Sequence, residues 1–284
     1  MTRPDTPPVV PGPAEKKSRA GRDLPAAIAS GVVLLVVIAA SLYFWKPAFI
    51  VVVGAAILIG IWEFQQGLKA KEIRLPLEPL MVGALVMLVG AYVGGSPALV
   101  TALAVTALAT MLWRLRDGVD GFVRDATAGV FTAVYVPFLA GFVVLLLAEV
   151  DGALGVVTFI LVTIASDIGG YAVGVLVGKH PMAPVISPKK SWEGFAGSTV
   201  FCVAAGWATV VYFLDGEWWV GVLLGLITVV MATLGDLCES VIKRDLGIKD
   251  MSSIIPGHGG LMDRLDSLLA TAAPTWLLLH YLVF

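Results

Sequence analysis

Charged residues are scarce in this chain: Asp, Glu, Lys and Arg make up 14% of its 284 residues, where a soluble domain averages about a quarter. With 58% hydrophobic residues and a mean hydropathy of +0.91, too few polar side chains remain to cover a water-facing surface. A soluble globular fold is therefore excluded. Cysteine is nearly absent, and Cys202 and Cys238 lie far apart in apolar stretches. That placement reads as two small buried hydrophobes, not as a disulfide or a metal pair. Only three histidines occur, and without a Cys/His cluster no zinc site is expected. No small-residue cleavage site follows the first apolar run, so that run reads as a retained helix and not as a signal peptide.

Long apolar runs are what the chain has instead. A bilayer core about 30 Å thick needs roughly 20 apolar residues per helical span. Nine candidates appear, at about 26–44, 47–62, 80–94, 97–113, 127–148, 153–178, 195–214, 218–237 and 265–284. Backbone amides find no water in lipid, so each span should be helical. Eighteen of the 19 Lys and Arg residues fall in the tail and in alternate loops; the remaining loops hold only Lys46. The positive-inside rule makes the cation-rich side cytoplasmic. The expected fold is thus all-α, a polytopic transmembrane helical bundle of about nine spans, with a cytoplasmic N-terminus and the C-terminus outside. Trp45, Trp62, Trp113, Trp218 and Trp219 stand at span ends, as an interfacial aromatic belt would. Three regions follow: a disordered cytoplasmic tail over 1–24, five N-terminal spans over 25–150, and a catalytic membrane domain of four spans and two cytoplasmic loops over 151–284.

Polar groups are concentrated in the last of these regions. An ionisable residue inside a membrane helix costs several kcal/mol unless paired or hydrated, and residues 1–150 carry almost none within a span. Asp167 lies about 14 residues into the sixth span, Asp236 ends the eighth, and Asp263 and Asp266 open the ninth. Three separate segments thereby bring carboxylates to one depth on one side. Asp236, Glu239, Ser240 and Lys243 follow at i, i+3, i+4 and i+7, on one helix face. Gly170, Gly174 and Gly178 repeat every four residues, a stripe whose ordinary role is close helix packing.

Two loops supply cations. Ser187-Pro188-Lys189-Lys190-Ser191-Trp192-Glu193-Gly194 reads as a helix start with two lysines and two hydroxyls, suited to phosphate. Ile255-Pro256-Gly257-His258-Gly259-Gly260 leads into Leu261-Met262-Asp263-Arg264-Leu265-Asp266. Its glycines should let backbone amides crowd an anion while the aspartates hold a metal. Carboxylates beside phosphate-seeking cations suggest a nucleotide handled with Mg2+ or Mn2+.

At these residues the chain resembles the phosphatidate cytidylyltransferase (CDP-diacylglycerol synthase) family. Ser240-Val241-Ile242-Lys243-Arg244, Lys249-Asp250, the Ile255-to-Gly260 run, Asp263-Arg264 and Asp266 match the family's long composite signature at every fixed position. Ser166-Asp167 with Tyr171, the Ser187-to-Gly194 loop and Gly235-Asp236-Leu237 also look like family landmarks. The resemblance is close over about 160–284 and only one of character before that; Lys189 is a minor departure.

The resemblance implies CTP plus phosphatidic acid giving CDP-diacylglycerol and diphosphate in phospholipid biosynthesis. It implies Asp236 and Asp263 as ligands of Mg2+, with Mn2+ or a second cation as variants. Catalytic roles fall on Asp236, Asp263, Lys190, Lys243 and Arg264. Substrate contacts are expected from Ser187, Lys190, Ser191, Glu193, Asp167, Glu239, Ser240, Lys243, Arg244, Lys249, Asp250, His258, Gly259, Gly260, Arg264 and Asp266. CTP, phosphatidic acid and membrane lipids are the expected partners, with a homodimer fitting the family and nucleic acid not expected. The site should face the cytoplasm from the cell inner membrane. A CTP-dependent polyprenol kinase is the nearest rival, and a secondary transporter a distant one.

Overall fold

The computed structural model describes residues 24–252, 254 and 259–284. The tail over 1–23, on which the expected disorder falls, and loop positions 253 and 255–258, including His258, lie outside the described residues. Helices account for nearly all the rest: α1 (Leu24–Phe44), α2 (Lys46–Lys69), α3 (Leu77–Arg114), α4 (Phe122–Ala133), α5 (Leu139–Ala148), α6 (Gly152–Val177), α7 (Trp192–Phe213), α8 (Trp218–Leu246) and α9 (Met262–Leu282). Two short strands, β1 (Pro181–Ala183) and β2 (Ser187–Ser191), pair antiparallel between α6 and α7.

Six segments among the described residues are long and apolar enough to cross a membrane. They are Lys46–Lys69, Leu77–Asp117, Phe122–Ala148, Gly152–Val177, Trp192–Phe213 and Trp218–Leu246. The chain is a multi-pass membrane protein. The expected nine spans differ from these six at three places. The apolar part of α1 that is described is short, Gly31–Phe44. The α9 helix opens with Asp263, Arg264 and Asp266, which dilutes its apolar stretch. The third place is α3, whose 38 residues would extend about 57 Å if straight. They do not run straight. Gly95 has a non-helical backbone (φ 67°, ψ −160°) and Pro97 follows it. Gly83 accordingly lies against Thr106, and Gly90 against Ala98. The two arms of α3 fold back on one another.

The other break in a helix is milder. α4 and α5 form one rod that widens into a π-turn at Val134–Phe138, where Pro137 offers no amide to the helical ladder.

α6 packs on α7, α7 on α8 and α8 on α9, and α5 on α9 joins the two halves of the chain. One hydrophobic core runs through both, with Ile61, Leu80, Leu147, Leu224 and Leu279 wholly buried. Hydrophobic sorting cannot hold helices together inside lipid, so small residues that allow close approach do much of it. Gly170 and Gly174 face Ser198 and Gly194 on α7, and a Cβ on Gly169 would sit 2.7 Å from the carbonyl oxygen of Gly197. The stripe read from sequence packs, as expected. Cys202 is buried with Sγ against the Val162 carbonyl, but Cys238 is exposed. That corrects the reading of both as buried: one residue before Glu239, Cys238 points about 100° away from the face that meets α9.

The α7–α8 crossing provides a test. A Cβ on Gly206 would lie 2.4 Å from the Gly221 carbonyl oxygen, which is backbone and cannot swing aside. Gly206→Ala should lower the thermal midpoint of the purified protein by several degrees, the effect of overpacking by about 1–3 kcal/mol. An unchanged midpoint for Gly206→Ala would mean that the helices do not approach this closely.

Candidate active site

Three layers of polar groups stack along the C-terminal ends of α6 and α8 and the N-terminal end of α9. The first is a cavity of about 280 Å3 whose walls include Asp167, Ser187, Lys189, Lys190, Ser191, Ser198, Thr233 and Asp236. Its floor is the glycine-lined α6–α7 contact, which leaves room because no side chains fill it. Lys190 Nζ lies 2.6 Å from Asp236 Oδ2 and 3.5 Å from the Thr233 carbonyl oxygen. Arg244 Nε reaches the Ile186 carbonyl oxygen at 3.5 Å. Two cations thus tie the β1–β2 hairpin to α8.

That hairpin is a correction to the sequence reading. Ser187–Ser191 is a strand and not a helix start; the helix begins at Trp192, with Ser191 as its cap. The Ser191 hydroxyl accepts the Gly194 amide at 3.1 Å, so it is partly engaged in capping. Ser-Pro was the misleading signal, since Pro188 suits an edge strand as well as a first helical turn. Glu193 also turns away from the cavity. Its carboxylate accepts the amides of Lys179 and His180 and pairs with the His180 ring, closing the base of the hairpin.

The second layer lies on the α8–α9 seam. Lys243 Nζ bridges Glu239 Oε2 at 2.9 Å and Asp263 Oδ1 at 2.8 Å. Glu239 is wholly buried, with the Asp266 carboxyl beside it. Asp266 acts electrostatically on Glu239, Asp236 and Asp167. A Cβ on Gly235 would meet the Asp266 carbonyl oxygen at 2.7 Å, so this glycine lets α9 lie close enough to share its carboxylates with α8. Ser240 Oγ is 3.3 Å from Asp236 Oδ1. Asp236 and Asp263 therefore have different lysine partners, Lys190 on the hairpin and Lys243 on α8. Asp167, Asp236, Glu239, Asp263 and Asp266 thus gather with Lys189, Lys190, Lys243, Arg244 and Arg264 around one set of helix ends.

The third layer is the segment leading into α9. Gly260 donates its amide to Asp263 Oδ2 at 2.8 Å, and Met251 donates to the same oxygen at 3.1 Å. The amides of Leu261 and Met262 go to Glu63 on α2, at 2.9 and 2.7 Å. Of the amides expected to crowd an anion, that of Gly260, with those of Leu261 and Met262 after it, is satisfied by the protein's own carboxylates. Gly259 adopts φ +87°, the left-handed region that favours glycine, beside Asp250. Lys249 and Asp250 are exposed at the rim, and Arg264 lies near Asp167.

Two contributors were missed. Glu63 stands just past the end of the second span, where it resembles an ordinary boundary acid. Tyr135, in the π-turn, has a buried hydroxyl near Glu239, Asp266 and Asp236, with no hydrogen-bond partner among the described residues. The one available hint was Pro137, since π-turns within helices often mark functional sites. A further polar cluster lies away from this site. Buried Arg114 pairs with buried Asp125 at 2.9 Å, and Asp125 also accepts the Arg74 amide. This staples the α2–α3 and α3–α4 loops together; these arginines serve more than orientation.

A family model described as the cytidylyltransferase family matches residues 25–282. The chain is 41% identical over 283 residues to a phosphatidate cytidylyltransferase of Mycobacterium bovis, covering 95% of this chain and 92% of that protein. A phosphatidate cytidylyltransferase of Mycobacterium leprae is 41% identical over 280 residues, 93% of this chain and 90% of that one. One of Staphylococcus aureus is 45% identical over 111 residues, 38% of this chain and 42% of its own length.

The Lys243 bridge sets a measurable stability. Lys243→Gln leaves buried Glu239 without its counter-charge, and losing one partner of a buried pair costs roughly 3 kcal/mol. The midpoint in detergent should fall by several degrees. Adding Glu239→Gln should recover more than half of the loss, because the stranded charge is then gone. Additive losses in the double variant would break the assignment of Lys243 to Glu239.

Proposed function

The chain belongs to the cytidylyltransferase family, and from that premise we propose how its residues convert CTP and phosphatidate into CDP-diacylglycerol and diphosphate. A phosphate oxygen of the lipid forms a bond to the α-phosphorus of CTP. The bond from that phosphorus to the oxygen bridging to the β-phosphate breaks, and diphosphate leaves. The lipid phosphate is already an anion near neutral pH, so no strong general base is needed. The barrier lies in bringing two polyanions together, and fixed cations lower it by stabilising charge where it builds up.

Lys190 carries this reading. It lines the cavity beside two serine hydroxyls and its ammonium is paired to Asp236, so an arriving phosphate can compete for a cation already positioned there. Ser187 and Ser191 offer hydroxyls on the same wall, with Lys189 and Arg244 at the edge. Lys243 and Arg264 meet negative charge from the α8–α9 side.

The residues fit a divalent cation. The donors are carboxylate oxygens, the hard ligands that Mg2+ requires. No group of three carboxylates converges at coordinating distance among the described residues; Mg2+ commonly takes one or two carboxylates and completes its shell with water and substrate phosphates. Asp236 and Asp263 are the proposed ligands, each now neutralised by a lysine. Bound there, the ion would withdraw charge from the phosphates.

Nine crossings, with the N-terminus and the site in the cytoplasm, remain the proposed topology. Two observations support it. Lys46, Glu149 and His280 meet at one end of the bundle, and all three fall on the side that the cation bias makes external. The folded-back arms of α3 give two crossings where one helix was counted. A homodimer is proposed from the family alone.

Transfer is tested with labelled CTP. Label in the α-phosphate should enter the lipid and γ-label should not; the reverse pattern would make the protein a kinase. In the same assay Asp236→Asn and Asp263→Asn should each lose more than nine-tenths of the rate, about 1.4 kcal/mol or more of barrier, while still inserting. Either variant retaining the full rate would remove that aspartate from the ligand set.

For topology, an alkaline phosphatase fused after Phe284 should be active, because that enzyme works only outside the cytoplasm, and one inserted at Gly118 should be silent. An active Gly118 insertion would invert the orientation.

A further inference from the structure

We infer that Glu63 is a positioning residue for the reaction: from the far end of the chain it sets the place of α9's carboxylates, and with it the affinity for the cation. The inference rests on the function proposed above and goes beyond it, because Glu63 lies in the half of the chain that sequence reading left out of the catalysis.

Glu63 is wholly buried on α2, between Ile61 and Phe64, which are equally buried. A carboxylate removed from water costs several kcal/mol unless its lone pairs are satisfied. Among the described residues Glu63 accepts three hydrogen bonds, and all three come from the segment that carries the signature residues. Ser252 Oγ donates to Oε1 at 2.5 Å, the Leu261 amide to Oε1 at 2.9 Å and the Met262 amide to Oε2 at 2.7 Å. α9 has no side-chain cap of its own at Leu261. The first amides of a helix need acceptors, and its N-terminal end carries a partial positive charge. Glu63 supplies both acceptor and counter-charge from α2, nearly 200 residues away in sequence.

The clamp does not close on a helix end alone. Gly260 sits between Glu63 and Asp263; a Cβ there would lie 3.1 Å from Glu63 Oε2 and 3.0 Å from Asp263 Oδ2. Asp263 follows Met262 directly, and Asp266 is one turn further on. A shift of the Leu261–Met262 amides therefore moves both carboxylates against Asp236 and Glu239 on α8. Positioning errors of about 1 Å are enough to cost roughly a hundredfold in rate. A Gln at position 63 keeps the volume but can direct its amide N–H groups against the Leu261 and Met262 donors.

The full-length protein in detergent is tested as Glu63→Gln, Ser252→Ala and, as a control, Glu72→Gln, an exposed acid beyond the end of the same helix. Mn2+ binding is followed by electron paramagnetic resonance, exchange of the 259–265 segment by mass spectrometry, and CMP transfer by α-label. Glu63→Gln should weaken Mn2+ binding and lower kcat at least tenfold, change the KM for CTP less than threefold, and speed exchange of that segment. Ser252→Ala, which removes one of the three bonds, should weaken Mn2+ binding about threefold, and it carries the test if Glu63→Gln does not fold. Glu72→Gln should match the parent. Faster exchange with Mn2+ affinity and kcat within twofold of the parent would reduce Glu63 to a structural cap and overturn the inference, as would a Ser252→Ala protein indistinguishable from the parent. If the parent transfers no CMP, the proposed function fails, while the Mn2+ and exchange measurements still decide what Glu63 does.

Discussion

Lys243 holds two carboxylates, Glu239 on its own helix and Asp263 on the next, in a region where water is scarce. Charge in such surroundings is tolerable only when neutralised at contact distance, and that constraint organises everything around it. It brings α9 against α8 at one level. It leaves Asp236 to Lys190 on the hairpin, so hairpin and helix pair are linked through opposite charges.

Close approach is the second condition. Charges can be matched across helix pairs only where backbones come near each other, and inside lipid the means is absence of side chain. Gly235 admits the Asp266 carbonyl, Gly170 and Gly174 admit the start of α7, and the same missing side chains leave the cavity beside Lys190 open. Glycine here builds the packing and the reaction space together. Tyr135 and Glu63 complete the enclosure from helices that carry no part of the signature.

Much of this was legible in the residues. Asp167, Asp236, Asp263 and Asp266 could be placed at one depth by counting positions along apolar runs, because a helix rises a fixed distance per residue and a bilayer has a fixed thickness. That Glu239 and Lys243 share a helix face followed from their four-residue spacing, but not that they pair. Less legible was anything that depends on what lies opposite. Ser187-Pro188 has the composition of a helix start, yet it forms a strand held by partners 40 to 60 residues distant in sequence. Glu193, in the first turn of α7, pairs backward to His180 instead of forward into the cavity. Glu63 looked like a boundary acid because nothing near it in sequence marks the amides it receives.

The sequence by itself determined that the protein lives in a membrane, that it is helical, and which carboxylates and cations gather at one end of the bundle. Those properties are local: apolar run length, helical rise, and the cost of burying charge act on each segment whatever its neighbours. Only the tertiary structure decided which lysine neutralises which aspartate, that α3 doubles back at Gly95, and that α9 is capped from α2. Those choices depend on distances between segments far apart in the chain, and a one-dimensional pattern does not contain them. A buried acceptor takes its donors from whatever element the packing brings within 3 Å, and for Glu63 that element begins nearly 200 residues later.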